Sequence, residues 1–175
     1  MYQVDDRDKA VELKDVPQSS IGAPCPLMLG AEGTLVLAYY IESRDEGWDG
    51  TTIRMVGPNS DGEPVALVRF HRCHASMFGP PNDEAFAGHP LSGRGLKPYS
   101  ANVIEHSSWV RSLERMNSVH PYHRPEAFES YKHFIFAFHD STFECIAYGY
   151  KVYLKQGSLW SLLPEMQRLV AERDV

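Results

Sequence analysis

The sequence has no apolar run approaching the ~18–20 residues that a membrane-spanning helix needs. Its opening, MYQVDDRDKAVELKD, places acids where a secretory signal needs a basic start and an apolar middle. A cytoplasmic protein with no membrane partner is expected. Cysteine is scarce: Cys25, Cys73 and Cys145 are an odd, widely spaced set without a CxxC, which suits reduced thiols better than a disulfide framework. Basic charge is also short, with 17 Lys and Arg against 23 Asp and Glu and a net charge of −6. That balance argues against nucleic-acid binding driven by overall charge. There is no GxSxG elbow, and GHPLSGRG lacks the ending of a P-loop and the setting of a dinucleotide fingerprint. Neither an internal repeat nor a linker divides the 175 residues. One domain over residues 1–175 is therefore expected, with residues 1–26 as an N-terminal arm or loop.

What the sequence does contain is a strong hairpin signal at residues 131–154. Phe134, Phe136 and Phe138 alternate with His133, Ile135, Ala137 and His139, and alternate side chains lie on opposite faces of a strand. The second strand is read from Phe143 to about Tyr153. A turn on Asp140-Ser141 or Ser141-Thr142 keeps Phe143, Cys145 and Ala147 on the Phe side and Glu144, Ile146 and Tyr148 on the other. The Phe row is expected in the core, since each buried Phe contributes about 1.5–3 kcal/mol. One of the two turns sets His139 directly across from Glu144.

Strands are further expected at Thr34–Glu42, Thr51–Val56, Val65–Cys73 and Ser100–His106, the first three as an antiparallel meander. A long connection, Ala75 to Tyr99, carries one helical turn at Asp83–Ala87. Helices are expected at Ser108–Val119, over about Pro125–Tyr131 and at Ser161–Glu172. The fold class is α+β: a single mostly antiparallel, curved sheet of about five or six strands, with two main helices packed on one face against the Phe row.

The opposite, imidazole-bearing face is the expected pocket. It joins His139 and Glu144 as an acid–base pair with Arg69 and His71 of the Val65–Cys73 strand, and these four are the catalytic candidates. His133, Tyr148 and Arg94 would bind an anionic or carbonyl ligand. Arg94, with Lys97, lies in the glycine-rich GHPLSGRGLKP stretch. His120 and His123 of HPYH are metal-ligand candidates in a break between two helices. In HRCH, by contrast, His71 and His74 point to opposite sides of a strand. Small-molecule binding or catalysis is the main expectation. A non-catalytic homodimer built on the abundant aromatics, and a metal-dependent enzyme using HPYH, are the alternatives. No motif ties the chain to a family of known activity, and no cofactor is indicated.

Overall fold

Strands that are apolar on both faces must be covered on both sides, and here the cover is a second sheet. The computed structural model describes residues 2–43, 51 and 55–172. Among these, the strands are β1 (Lys9–Glu12), β2 (Leu27–Ala31), β3 (Gly33–Tyr40), β4 (Pro64–Cys73), β5 (Ala75–Gly79), β6 (Ala101–Glu105), β7 (Lys132–Ala137), β8 (Thr142–Ala147) and β9 (Gly149–Gln156). The two helices are α1 (Ser108–Asn117) and α2 (Leu163–Ala171). A five-stranded sheet runs β1-β6-β7-β8-β5, and a four-stranded sheet runs β2-β3-β4-β9. Every strand pairing is antiparallel. The α+β, antiparallel reading holds, but as two sheets rather than one curved sheet.

The Phe row is buried, and what it meets corrects the expectation. Phe134, Phe136, Phe138 and Phe143 pack against Leu35, Leu37, Tyr39, Val68 and Phe70 of the other sheet. The Phe70 ring lies 5.5–5.8 Å from those of Phe134, Phe136 and Phe143. No helix takes that place, because β3 and β4 have two apolar faces to bury. Their second face, Val36, Ala38, Val65 and Leu67, receives Met166 and Leu169 of α2. α1 lies beside β7, so the two helices serve different sheets.

Three local departures matter for the site. First, the strand read as Phe143–Tyr153 is two strands. At Tyr148, whose amide donates to the His71 carbonyl at 2.9 Å, the chain leaves one sheet for the other. Second, β7 and β8 pair Ala137 with Thr142 and Ile135 with Glu144. The loop is therefore residues 138–141, and His139 does not face Glu144. Side-chain parity is unchanged, so the faces are as expected. Third, the Ala75–Tyr99 connection contains β5 and two 3-10 turns, Phe86–Gly88 and Ser92–Arg94.

The last of these segments closes the imidazole face. Phe86, Leu91 and Leu96 lie over Ile104, Ile135 and Ala137, with Ala10 of β1 and the side chains of Tyr2 and Val4 alongside. The residues expected as an arm thus supply β1 and part of a covering layer. The strand expected at Thr51–Val56 falls largely outside the described residues. No described helix is long and apolar enough to cross a membrane.

Candidate functional site

Alternation along β7 and β8 sends His133 and Glu144 to the covered face as diagonal neighbours. The His133 Nε2 lies 2.9 Å from Glu144 Oε2. The covering segment adds His89, whose Nε2 is 3.1 Å from Oε1, and the Tyr2 hydroxyl donates to Oε2 at 2.6 Å. All of this is out of water: His133 is 0%, His89 3% and Glu144 4% exposed.

The hydrogen bonds fix the protonation pattern. The Leu91 amide donates to His89 Nδ1 at 3.1 Å, so Nε2 of that ring carries the proton given to Glu144. Burial pushes the Glu144 carboxyl up, but the bonds from His133, His89 and Tyr2 outweigh burial and hold it at about 2. Burial pulls His133 below the usual histidine value, despite the nearby carboxylate. Burial, then the Glu144 charge, pushes the Tyr2 phenol well up. The arrangement is an ionised glutamate accepting hydrogen bonds from two imidazole N–H groups and a phenol.

Beyond His133 the chain of contacts continues to Ser107, whose Oγ lies 3.0 Å from Nδ1. Ser107 is the N-cap of α1 and accepts the Val110 amide at 3.3 Å. Because His133 gives its Nε2 proton to Glu144, its Nδ1 is free to accept the Ser107 hydroxyl proton. Tyr2 stacks on Trp109 at 5.3 Å and 7°, and both rings stand edge-on to His133 at 5.1 Å.

Ser107 also lines a groove of about 740 Å³ with Val103, Val110, Arg111, Phe128, Tyr131 and Lys132. The Arg111 guanidinium donates to Asp5 at 2.6 Å and to the His106 carbonyl. The Lys132 side chain is exposed and its ammonium makes no hydrogen bond or ion pair with another described residue.

The expected residues do not all meet. Glu144 and His133 do, whereas Arg69 and His71 lie on the α2 side of the other sheet, with the sandwich core between them and Glu144. There the Arg69 Nε donates to the Leu169 carbonyl at 2.7 Å, its Nη2 donates to the Glu172 carbonyl, and its Nη1 lies 2.7 Å from His71 Nδ1. Arg69 thus ties down the C-terminal end of α2. His139 sits in the 138–141 loop, with Nδ1 3.0 Å from Asp83 Oδ2, which also accepts the Tyr99 hydroxyl. That phenol holds the Asp83 carboxyl below its usual range, and the Tyr99 hydroxyl is raised in return. Tyr148 packs edge-on to Tyr131 at 4.6 Å with Arg72 over its face, and Arg94 reaches Asp6 at 3.1 Å.

The two imidazoles of HPYH are held by different partners. His123 is held by Glu114 at 2.7 Å and by Asn117 at 3.1 Å, while His120 Nδ1 accepts the Tyr122 amide. Among the described residues no group of three His, Cys, Asp or Glu side chains is set to hold a metal ion.

Sequence reasoning missed Ser107, Tyr2 and the pairing of His89 with Glu144. The one available signal was HSSW at a strand-to-helix junction, where a capping Ser is favoured. Tyr2 and His89 come from distant segments that no local pattern connects to Glu144. The chain matches no protein-family model, no curated protein and no solved structure.

Proposed function

We propose that the protein binds a small molecule with a carboxylate or ester head and an apolar body, and that its site is the groove beside Ser107. One juxtaposition carries this reading: a largely apolar trough is lined in part by Ser107, a serine only 6% exposed and backed by the buried His133–Glu144 pair. The trough's volume of about 740 Å³ falls in the ~300–1,000 Å³ range usual for ligand sites. Val103, Val110, Phe128 and Tyr131 offer apolar walls; the rim carries Arg7, Arg111 and Lys132 beside Glu105, Glu114 and Glu129, and of these cations Arg111 and Lys132 are the ones proposed to meet an anionic or carbonyl head.

Octanoate tests it, since a medium-chain carboxylate has both parts. Calorimetric titration should give binding to the wild-type chain and at least tenfold weaker binding to Val110→Trp, which fills the trough. Failure of the wild type to bind, or equal binding by the variant, removes the reading.

A second reading, a non-catalytic homodimer, has one observation in its favour. Phe78 and Trp160 are 42% and 48% exposed and flank an apolar recess with Leu27. β2 and β5, each an edge strand of its sheet, both contribute to this recess through Leu27 and Phe78, and such edges pair readily with a second copy. Light scattering at two concentrations tests it; a monomer at both removes it.

A further inference from the structure

We infer that Ser107 is a nucleophile, with His133 as its base and Glu144 orienting that base, and that the groove is a site of carboxylic-ester hydrolysis. The inference rests on the groove being the ligand site. Oγ to Nδ1 is 3.0 Å and Nε2 to Oε2 is 2.9 Å, both within the reach required of a serine–base–carboxylate relay. Glu144 accepts the Nε2 proton, so the lone pair of Nδ1 faces the serine hydroxyl. The nitrogens are used in the order opposite to the most familiar triads, but either one is a base when the other is protonated.

The backbone presents the serine sharply. His106, at φ 54°, turns β6 directly into α1, a left-handed step that is uncommon for a residue with a side chain. Ser107 is thereby set at the mouth of a helix, where the backbone dipole favours developing negative charge. Of the first amides of α1, that of Ser108 is taken by Asp8 at 2.6 Å and that of Val110 by the Ser107 Oγ. Arg111, which lines the groove with Ser107 and also holds Asp5 and the His106 carbonyl, is the donor for an oxyanion. Helix capping alone accounts for none of the groups behind the serine. A cap needs one oxygen, not a desolvated carboxylate gathered with two imidazoles.

The step balances as follows. Ser107 Oγ bonds to the ester carbonyl carbon while its proton passes to His133 Nδ1, and Glu144 stabilises the imidazolium through Nε2–H. Collapse breaks the carbon–oxygen bond to the alcohol, which leaves with the Nδ1 proton. Water then attacks the acyl-serine, gives a proton to Nδ1 and releases the carboxylic acid. Ser107 recovers its hydrogen from His133.

The test uses the full chain with an alkyl fluorophosphonate, which bonds to an activated serine oxygen and expels fluoride. Intact mass and peptide mapping should place one adduct on Ser107. Hydrolysis of p-nitrophenyl octanoate should fall more than a hundredfold in Ser107→Ala, and octanoate should still bind that variant. Ser107→Asn keeps a capping oxygen but has no hydroxyl to attack with, so it separates lost capping from lost attack, and mapping on the wild-type chain decides the matter even where the alanine variant fails to fold. An adduct on another residue, or none at Ser107 while octanoate binds, overturns the nucleophile and leaves the groove standing. Absence of both adduct and octanoate binding removes both.

Discussion

The Tyr2 hydroxyl donates to Glu144 Oε2 at 2.6 Å, across 142 positions of sequence. This bond fastens the N-terminal segment to β8 of the five-stranded sheet. It also gives one buried carboxylate a third donor, alongside His133 and His89.

Tyr2→Phe keeps the stack on Trp109 and removes only the hydroxyl. A hydrogen bond to a charged acceptor is worth about 1.5–3 kcal/mol, so a loss of that order is expected in urea denaturation. Tyr2→Ala removes the stack as well and should cost more. Equal stability of Tyr2→Phe and wild type would show that the bond contributes nothing.

Arg69 was expected in the site, and its contacts assign it to α2 instead. Arg69→Met should leave the Leu169 and Glu172 carbonyls short of a donor, at a cost of about 1–3 kcal/mol. Arg69→Lys should not restore stability, because one ammonium cannot reproduce a fork that reaches several acceptors. Hydrogen exchange should quicken in α2 and not in α1, and octanoate affinity should be unchanged. Weakened ligand binding in Arg69→Met would return this residue to the functional site.

Gly95 has φ 94°, and a Cβ built there would lie 3.0 Å from the Ala10 carbonyl oxygen of β1. Gly95→Ala combines a left-handed conformation, costing roughly 1–2 kcal/mol, with contact against backbone that has little room to yield. Reduced thermal stability is expected, with exchange protection lost first in β1. A variant as stable as wild type would mean that the covering segment shifts freely.

The sequence carried the alternating strands and the amphipathic helices well, and for a physical reason. β3, β4 and β6 announce themselves by residues that must be buried, and α1 by the helical spacing of Trp109, Leu113 and Met116. β2 and β5 did not, since edge strands such as LMLGA and ASMFG bury no residue completely. The break at Tyr148 was also hidden. Ala147, Tyr148 and Gly149 continue an apolar run, and nothing in it specifies that the chain changes sheets. The faces of His133 and Glu144 follow from parity alone, so that half of the site was legible. What covers a face is a long-range fact: a sheet, a helix and a folded loop all ask for the same alternation. The misplacement of His139 came from turn length, because the 138–141 loop moves it from Glu144 to Asp83 without altering any side-chain parity.

The buried network should make the fold acid-sensitive in a defined order. His133 is held below the usual histidine value by burial. As pH falls through ~6.5, the unfolded imidazole takes up a proton that the folded one refuses, so the unfolded state binds more protons and stability drops. Glu144, held at about 2, contributes stability that is complete above the ordinary carboxyl range of ~4.3. That contribution is lost as pH falls through the folded value. Both shifts act in the same direction, with the histidine first and the carboxylate later. Urea midpoints at pH 7.5, 6, 5, 4, 3 and 2 should therefore decline from about pH 6.5 downward, first with the histidine and below about pH 4 with the carboxylate. His133→Gln, which keeps a polar side chain that cannot titrate, should flatten the decline between pH 6.5 and 5 and leave the later loss in place. An unchanged slope in that variant would mean that another group drives the transition and that His133 is not held neutral in the folded protein.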